Sequence, residues 1–158
     1  MTFFILWLHL LAAMTWIGGM LFLSLVAVPV LKPRTSGPTH AELFRAMARR
    51  FRLIVWIAIA TLLSTGPLLL SSRGFSLLEP AQWPAVLSVK LGLAALLLIL
   101  TGTHDLLIGP RVGALVRMPP ENRTRWDGIL ISATPWIARG SLVFALSIVA
   151  LALALSPT

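Results

Sequence analysis

The sequence predicts an all-α protein, a bundle of four membrane-spanning helices, and three observations carry that expectation. Of 158 residues, 58% are hydrophobic and 11% charged, with a mean hydropathy of +0.92. A soluble domain of this length has no use for so much apolar surface. Four apolar runs are each long enough to cross a hydrocarbon core of about 30 Å. Basic residues gather in two of the three connections, as they do in multi-pass proteins. The net charge of +8 therefore records topology, and a nucleic-acid partner is not expected. Cysteine is absent, which excludes disulfides, thiolate metal sites and iron–sulfur clusters.

The first run covers 3–31 without a charged residue. No basic segment precedes it and no small-residue cleavage site follows, so it reads as a retained helix rather than a signal peptide. Its one strong ligand or proton-transfer group is His9. Ala12, Trp16, Gly19 and Leu23 share a face with it at spacings of three and four. Such small residues let another helix or a flat cofactor come close to the backbone.

After a polar loop, Thr39 and Glu42 have capping-box spacing and predict a helix start near His40. An amphipathic stretch follows over 40–52, with Phe44, Met47 and Phe51 on one side and Arg45, Arg49, Arg50 and Arg52 largely elsewhere. It runs into a second span at about 53–72, where Gly66-Pro67 predicts an interruption or kink. A third span is expected at about 85–109, ended by Pro110, with a basic loop after it. The fourth is expected at about 134–156, with Thr134 as cap and Pro135 in the first turn. The residues show no internal repeat, so 1–158 reads as a single membrane domain.

The first basic region holds six Lys or Arg (Lys32, Arg34, Arg45, Arg49, Arg50, Arg52). The second holds four (Arg111, Arg117, Arg123, Arg125), and the link between spans two and three holds Arg73 alone. The positive-inside rule then puts the basic loops in the cytoplasm and both termini outside, in a bacterial inner membrane. Trp7 and Trp83 fall at the outer boundary and Trp56, Trp126 and Trp136 near the inner one.

Ionisable groups at membrane depth need a partner or a role. His9 lies about 9 Å in from the outer end of span one, and Lys90 at a similar depth in span three, at about 1.5 Å per residue. His104 follows Lys90 by roughly 21 Å, so one haem iron is not expected to take both His9 and His104. Lys90, Leu97, Thr101 and His104 share one face. Span two adds Thr61, Ser64, Thr65 and Gly66, the last near the depth of His9. His9 suits an axial haem ligand, an interhelical hydrogen bond, or a copper ligand or proton relay. Lys90 suits a snorkelling cation, a propionate partner or a second ligand. Near the inner surface, Asp105 with Arg139 or Arg49 suits interfacial pairing. The alternative there is a site for a propionate, a quinone headgroup or another anion.

Several of these residues together are similar to a known set. Leu8-His9 through Trp16-Ile17-Gly18-Gly19, Phe44…Met47…Arg50-Phe51, Lys90-Leu91 and His104-Asp105…Gly109-Pro110-Arg111 resemble the CopD-like superfamily of small bacterial membrane proteins. It includes the membrane domain of copper-resistance protein D and, more distantly, the HemJ-type protoporphyrinogen oxidases. The resemblance implies b-type haem, with His9 and Lys90 at the positions of a functionally important His and Lys, and Arg50 (or Arg49) at that of a family Arg. The Trp-Ile-Gly-Gly signature is closer to the CopD branch.

The resulting expectation is a b-haem protein of membrane electron transfer, alone or as a small subunit of a larger respiratory or photosynthetic complex. His9 would ligate iron, Lys90 and Arg73 would hold propionates, and Trp16 and Gly66 would line the pocket. His104 is a further candidate metal ligand. The alternatives are copper handling, against which stand zero Cys and few Met, and a cofactor-free assembly subunit. If the chain is an enzyme, the expected class is a haem-dependent membrane oxidoreductase.

Overall fold

A computed structural model describes the backbone of residues 2–31 and 38–154. Among them the elements are helical throughout. Helix α1 (Thr2–Phe22) continues through a π-helical turn (Leu23–Ala27) into the short α2 (Val28–Leu31). Helix α3 (Pro38–Ser72) follows, then α4 (Ala85–Thr103), which passes through a second π-helical turn (His104–Ile108) into α5 (Gly109–Arg117). The last is α6 (Arg125–Ala154). Four of these stretches, Thr2–Val30, Arg45–Ser72, Ala85–Arg117 and Arg125–Leu153, are long and apolar enough to cross a membrane, with mean hydropathies of 2.0 to 2.2. The chain has the character of a multi-pass membrane protein. Lys32, Arg34 and the end of the fourth expected span at 156 lie outside the described residues, as does the side chain of Thr39.

The chain divides into two compact units, Met1–Pro84 and Ala85–Thr158. In the first, α1 packs along α3. Gly19 receives the Phe51 ring so closely that a Cβ there would overlap it. Nothing lies within 4 Å of a Cβ placed at Gly18. The small-residue face of the first helix and the amphipathic stretch thus meet at Gly19 and Phe51. Ala12 and Trp16 on that face are buried. Phe3, Met14, Leu25, Leu53 and Ile57 are more than half exposed, as lipid-facing side chains are. In the second unit α4 and α5 pack along α6, with Leu97 and Ala145 in its interior.

The prolines behave differently from the sequence expectation. Pro110 was expected to end span three, yet the helix runs on to Arg117. The π-helical turn just before it is the reason. Gly109 N–H donates to the His104 carbonyl five residues back. The widened turn relieves the clash that a proline ring makes with the preceding turn. Pro29 is accommodated in the same way, with Val28 N–H bonded to the Leu23 carbonyl. Pro67 needs no such turn, and α3 passes through Gly66-Pro67 without interruption. One lost hydrogen bond costs less in lipid than a break that leaves several backbone groups unsatisfied.

The fourth helix also starts earlier than expected, at Arg125. Thr124 and Asp127 form a reciprocal capping box: Thr124 N–H and Oγ1 donate to Asp127 Oδ2 at 3.0 and 2.7 Å, and Asp127 N–H donates to Thr124 Oγ1 at 3.3 Å. Thr134 is a mid-helix residue whose hydroxyl donates to the Leu130 carbonyl at 2.7 Å. The capping box, with both partners in place, outweighs the Thr-Pro signal ten residues on.

Between α5 and α6 the expected basic loop shrinks to a short turn. The Arg123 guanidinium donates to the carbonyls of Val116 and Met118 at 3.1 and 2.7 Å, satisfying the open end of α5. Arg111 lies 4.0 Å from Asp127. After α3, Gly74 adopts a left-handed φ of 81°. Phe75 N–H bonds to the Leu70 carbonyl and Gly74 N–H to that of Ser71, a Schellman ending with Arg73 as C-cap.

Candidate functional site

The first unit contains a polar contact at membrane depth. His9 comes from the middle of an apolar helix, among leucines and small residues. It reaches the facing helix: His9 Nδ1 is 2.7 Å from Thr65 Oγ1. Thr65 is buried, and its own hydroxyl hydrogen is committed, because Oγ1 lies 2.7 Å from the Thr61 carbonyl, which only accepts. With its hydrogen on the Thr61 carbonyl, Thr65 Oγ1 accepts from His9 Nδ1–H, the tautomer in which a neutral imidazole carries its lone pair on Nε2. Gly66 lies beside the ring, and a Cβ at that position would be 3.8 Å from His9 Cε1.

That arrangement fits a haem iron. An axial histidine ligates through an unprotonated nitrogen while its other N–H is held by an acceptor that sets the ring's orientation. The Thr65 contact meets the second requirement and, in the tautomer it favours, the first. Among the described residues there is no group of three or more His, Cys, Asp or Glu.

Other candidates fall elsewhere. Trp16 is buried in the first unit, two turns from His9 along α1. Arg73 is exposed at the C-cap of α3, about 12 Å along the helix axis from Thr65. Arg50 is exposed and precedes Thr65 by fifteen residues of unbroken helix, or about 22 Å. It does not share the His9 locus. In the second unit, Lys90 and His104 sit fourteen residues apart on α4 and its π-helical turn, about 21 Å in helical rise. His104 Nδ1 is 3.3 Å from Asp105 Oδ1, within the π-helical turn itself. The Arg139 guanidinium lies over the Trp136 ring at 4.8 Å.

Sequence reasoning placed Gly66 near His9 but passed over Thr65 as the residue that orients it. The signal was present: Thr65 is a hydroxyl residue next to Gly66, at the depth where His9 needs an acceptor.

A groove of about 360 Å³ opens along α3 beside this contact, lined by Leu8, Ile57, Ala60, Thr61, Ser64 and Thr65. Ser64 and Gly66 are nearly opposite around the helix, at about 100° per residue. The hydroxyls of Thr61 and Ser64 donate to the carbonyls of Ile57 and Ala60, so the groove is apolar in effect.

Over 125 residues the chain is 32% identical to an "Uncharacterized protein" of Aquifex aeolicus (strain VF5), a match covering 79% of this chain and 81% of that one. No family model matches the sequence, and no solved structure matches it significantly.

Proposed function

The chain belongs to one family with this uncharacterized Aquifex aeolicus protein, and we propose that it is a b-haem membrane protein that takes part in electron transfer. The observation that carries the reading is the Nδ1–H bond from His9 to Thr65, which presents an Nε2 lone pair at membrane depth. Bound haem would supply one-electron chemistry at its iron. His9 would hold the iron through Nε2. Thr65 would fix the imidazole's tautomer and rotation by accepting from Nδ1, and its own hydrogen bond to the Thr61 carbonyl keeps it from turning away. The apolar helix faces around His9 would favour a low-dielectric redox site.

The cytoplasmic face of an inner membrane is our assignment for the basic helix ends, with both termini outside, on the strength of the arginine distribution. The resemblance to CopD-like proteins adds to the haem reading. It also makes a larger membrane complex, or a quinone as redox partner, the natural context.

The test is the visible spectrum of the protein purified in mild detergent, oxidised and then reduced with dithionite. Haem bands in stoichiometric amount, lost in His9→Ala with helical circular dichroism unchanged, are the expected result. A colourless protein from haem-replete cells would falsify the reading. It would leave His9–Thr65 as a strut between helices, a role worth about 1 kcal/mol in lipid.

A further inference from the structure

We propose that the first unit retains one anionic phospholipid, its phosphate on Arg49 and Arg50 and an acyl chain in the groove beside Thr65. Three of the five arginines of the second unit have work within the fold: Arg123 closes the end of α5, Arg111 faces Asp127 and Arg139 covers Trp136. Arg49 and Arg50 instead project from α3 with exposed side chains. Their neighbours three and four positions away along the helix are Arg45, Ala46, Met47, Arg52, Leu53 and Ile54, none of them acidic. Adjacent guanidiniums at the end of a membrane span match a phosphodiester in charge and in donor geometry.

The surface leading away from them is continuous and apolar. Leu53 is 65% exposed, Ile54 45% and Ile57 59%. Ile57 is also the first wall of the groove, which extends past Ala60 and Ser64 and is closed on one side by Leu8 of α1. From Arg50 to Ile57 is seven residues, about 10 Å of helical rise, so the near wall of the groove lies within one leaflet, about half of the hydrocarbon core of about 30 Å. A charged head site, an exposed apolar path and a recess at its end lie in order along one side of one helix. A free anion would use only the first of these, and a neutral lipid only the other two.

The experiment is native mass spectrometry of the protein released from phosphatidylcholine nanodiscs doped with phosphatidylglycerol. Wild type is expected to retain one phosphatidylglycerol in preference to phosphatidylcholine. Arg49→Gln/Arg50→Gln should weaken that retention roughly 30-fold, from about one kcal/mol per arginine near a charged headgroup. Ala60→Phe, which fills the groove and leaves the arginines intact, should weaken it as well. Equal retention of the two lipids by wild type overturns the proposal. So does displacement of the lipid by inorganic phosphate alone, or undiminished retention in Ala60→Phe. If the double arginine variant loses its helical circular dichroism, Ala60→Phe decides. Because haem absorbance is read separately on the same samples, failure of the lipid site leaves the His9 reading standing, and the reverse holds too.

Discussion

The two hairpins share a backbone design and differ in what they put on it. In each, an apolar helix enters a five-residue π-helical turn, the next residue bonds five positions back, and a proline follows (Pro29 and Pro110). His9 precedes Pro29 by twenty residues, and Lys90 precedes Pro110 by twenty. The same register thus carries an imidazole in one hairpin and an ammonium in the other. The π-helical turns differ as sharply: Leu-Ser-Leu-Val-Ala in the first and His-Asp-Leu-Leu-Ile in the second. A shared scaffold with divergent polar groups teaches that the scaffold answers to the bilayer and the polar positions answer to chemistry.

The largest expected effect separates the hairpins at that register. His9→Ala should abolish haem absorbance, whereas Lys90→Ala should keep the band, since no axial ligand is lost. A bleached Lys90→Ala protein would show that the second hairpin supplies a ligand. Next in size is Thr65→Val, which removes the acceptor while keeping the shape. Haem retention should fall about 10- to 100-fold, as it does when an outer partner of a ligating histidine is removed, and haem titration of the apoprotein measures it. If affinity is unchanged, Thr65 does not orient the ligand.

Packing is the third contrast. Gly19→Val places methyl groups on the Phe51 ring and should destabilise the first hairpin by about 1–3 kcal/mol, whereas Gly18→Ala, with open space around it, should be silent. Thermal unfolding in detergent compares the two. The smallest effect concerns the capping box of the second hairpin. Thr124→Ala should cost about 1 kcal/mol and speed amide exchange in the first turn of α6. Thr134→Val, ten residues on, should leave that exchange unaltered.

Much of this architecture is legible in the residues. Span number, the apolar faces and the meeting of Gly66 with His9 follow from hydropathy, helical spacing and depth. Helix ends were harder, and for a common reason. Pro110, Pro67 and Thr134-Pro135 are strong stop or start signals in water, where a broken helix can bond to solvent. Inside a bilayer those bonds have no substitute, so the chain widens a turn or runs through. The Thr124…Asp127 capping box was overlooked because it sits within a segment that composition alone marks as basic loop. The likeness of the two hairpins also escaped sequence comparison, because it resides in a backbone device whose only fixed residue is a proline.

The two π-helical turns have a consequence for anyone mapping this protein by mutation. Each inserts one residue into the helical count, so side chains beyond it are rotated by about 100° from where an unbroken helix would put them. A tolerance scan along α1 or α4 would therefore give a periodic signal whose phase slips at 23–27 and again at 104–108. Wheel diagrams drawn through those points will assign lipid-facing and buried positions to the wrong residues. Read in two phases, the same data would fall into place.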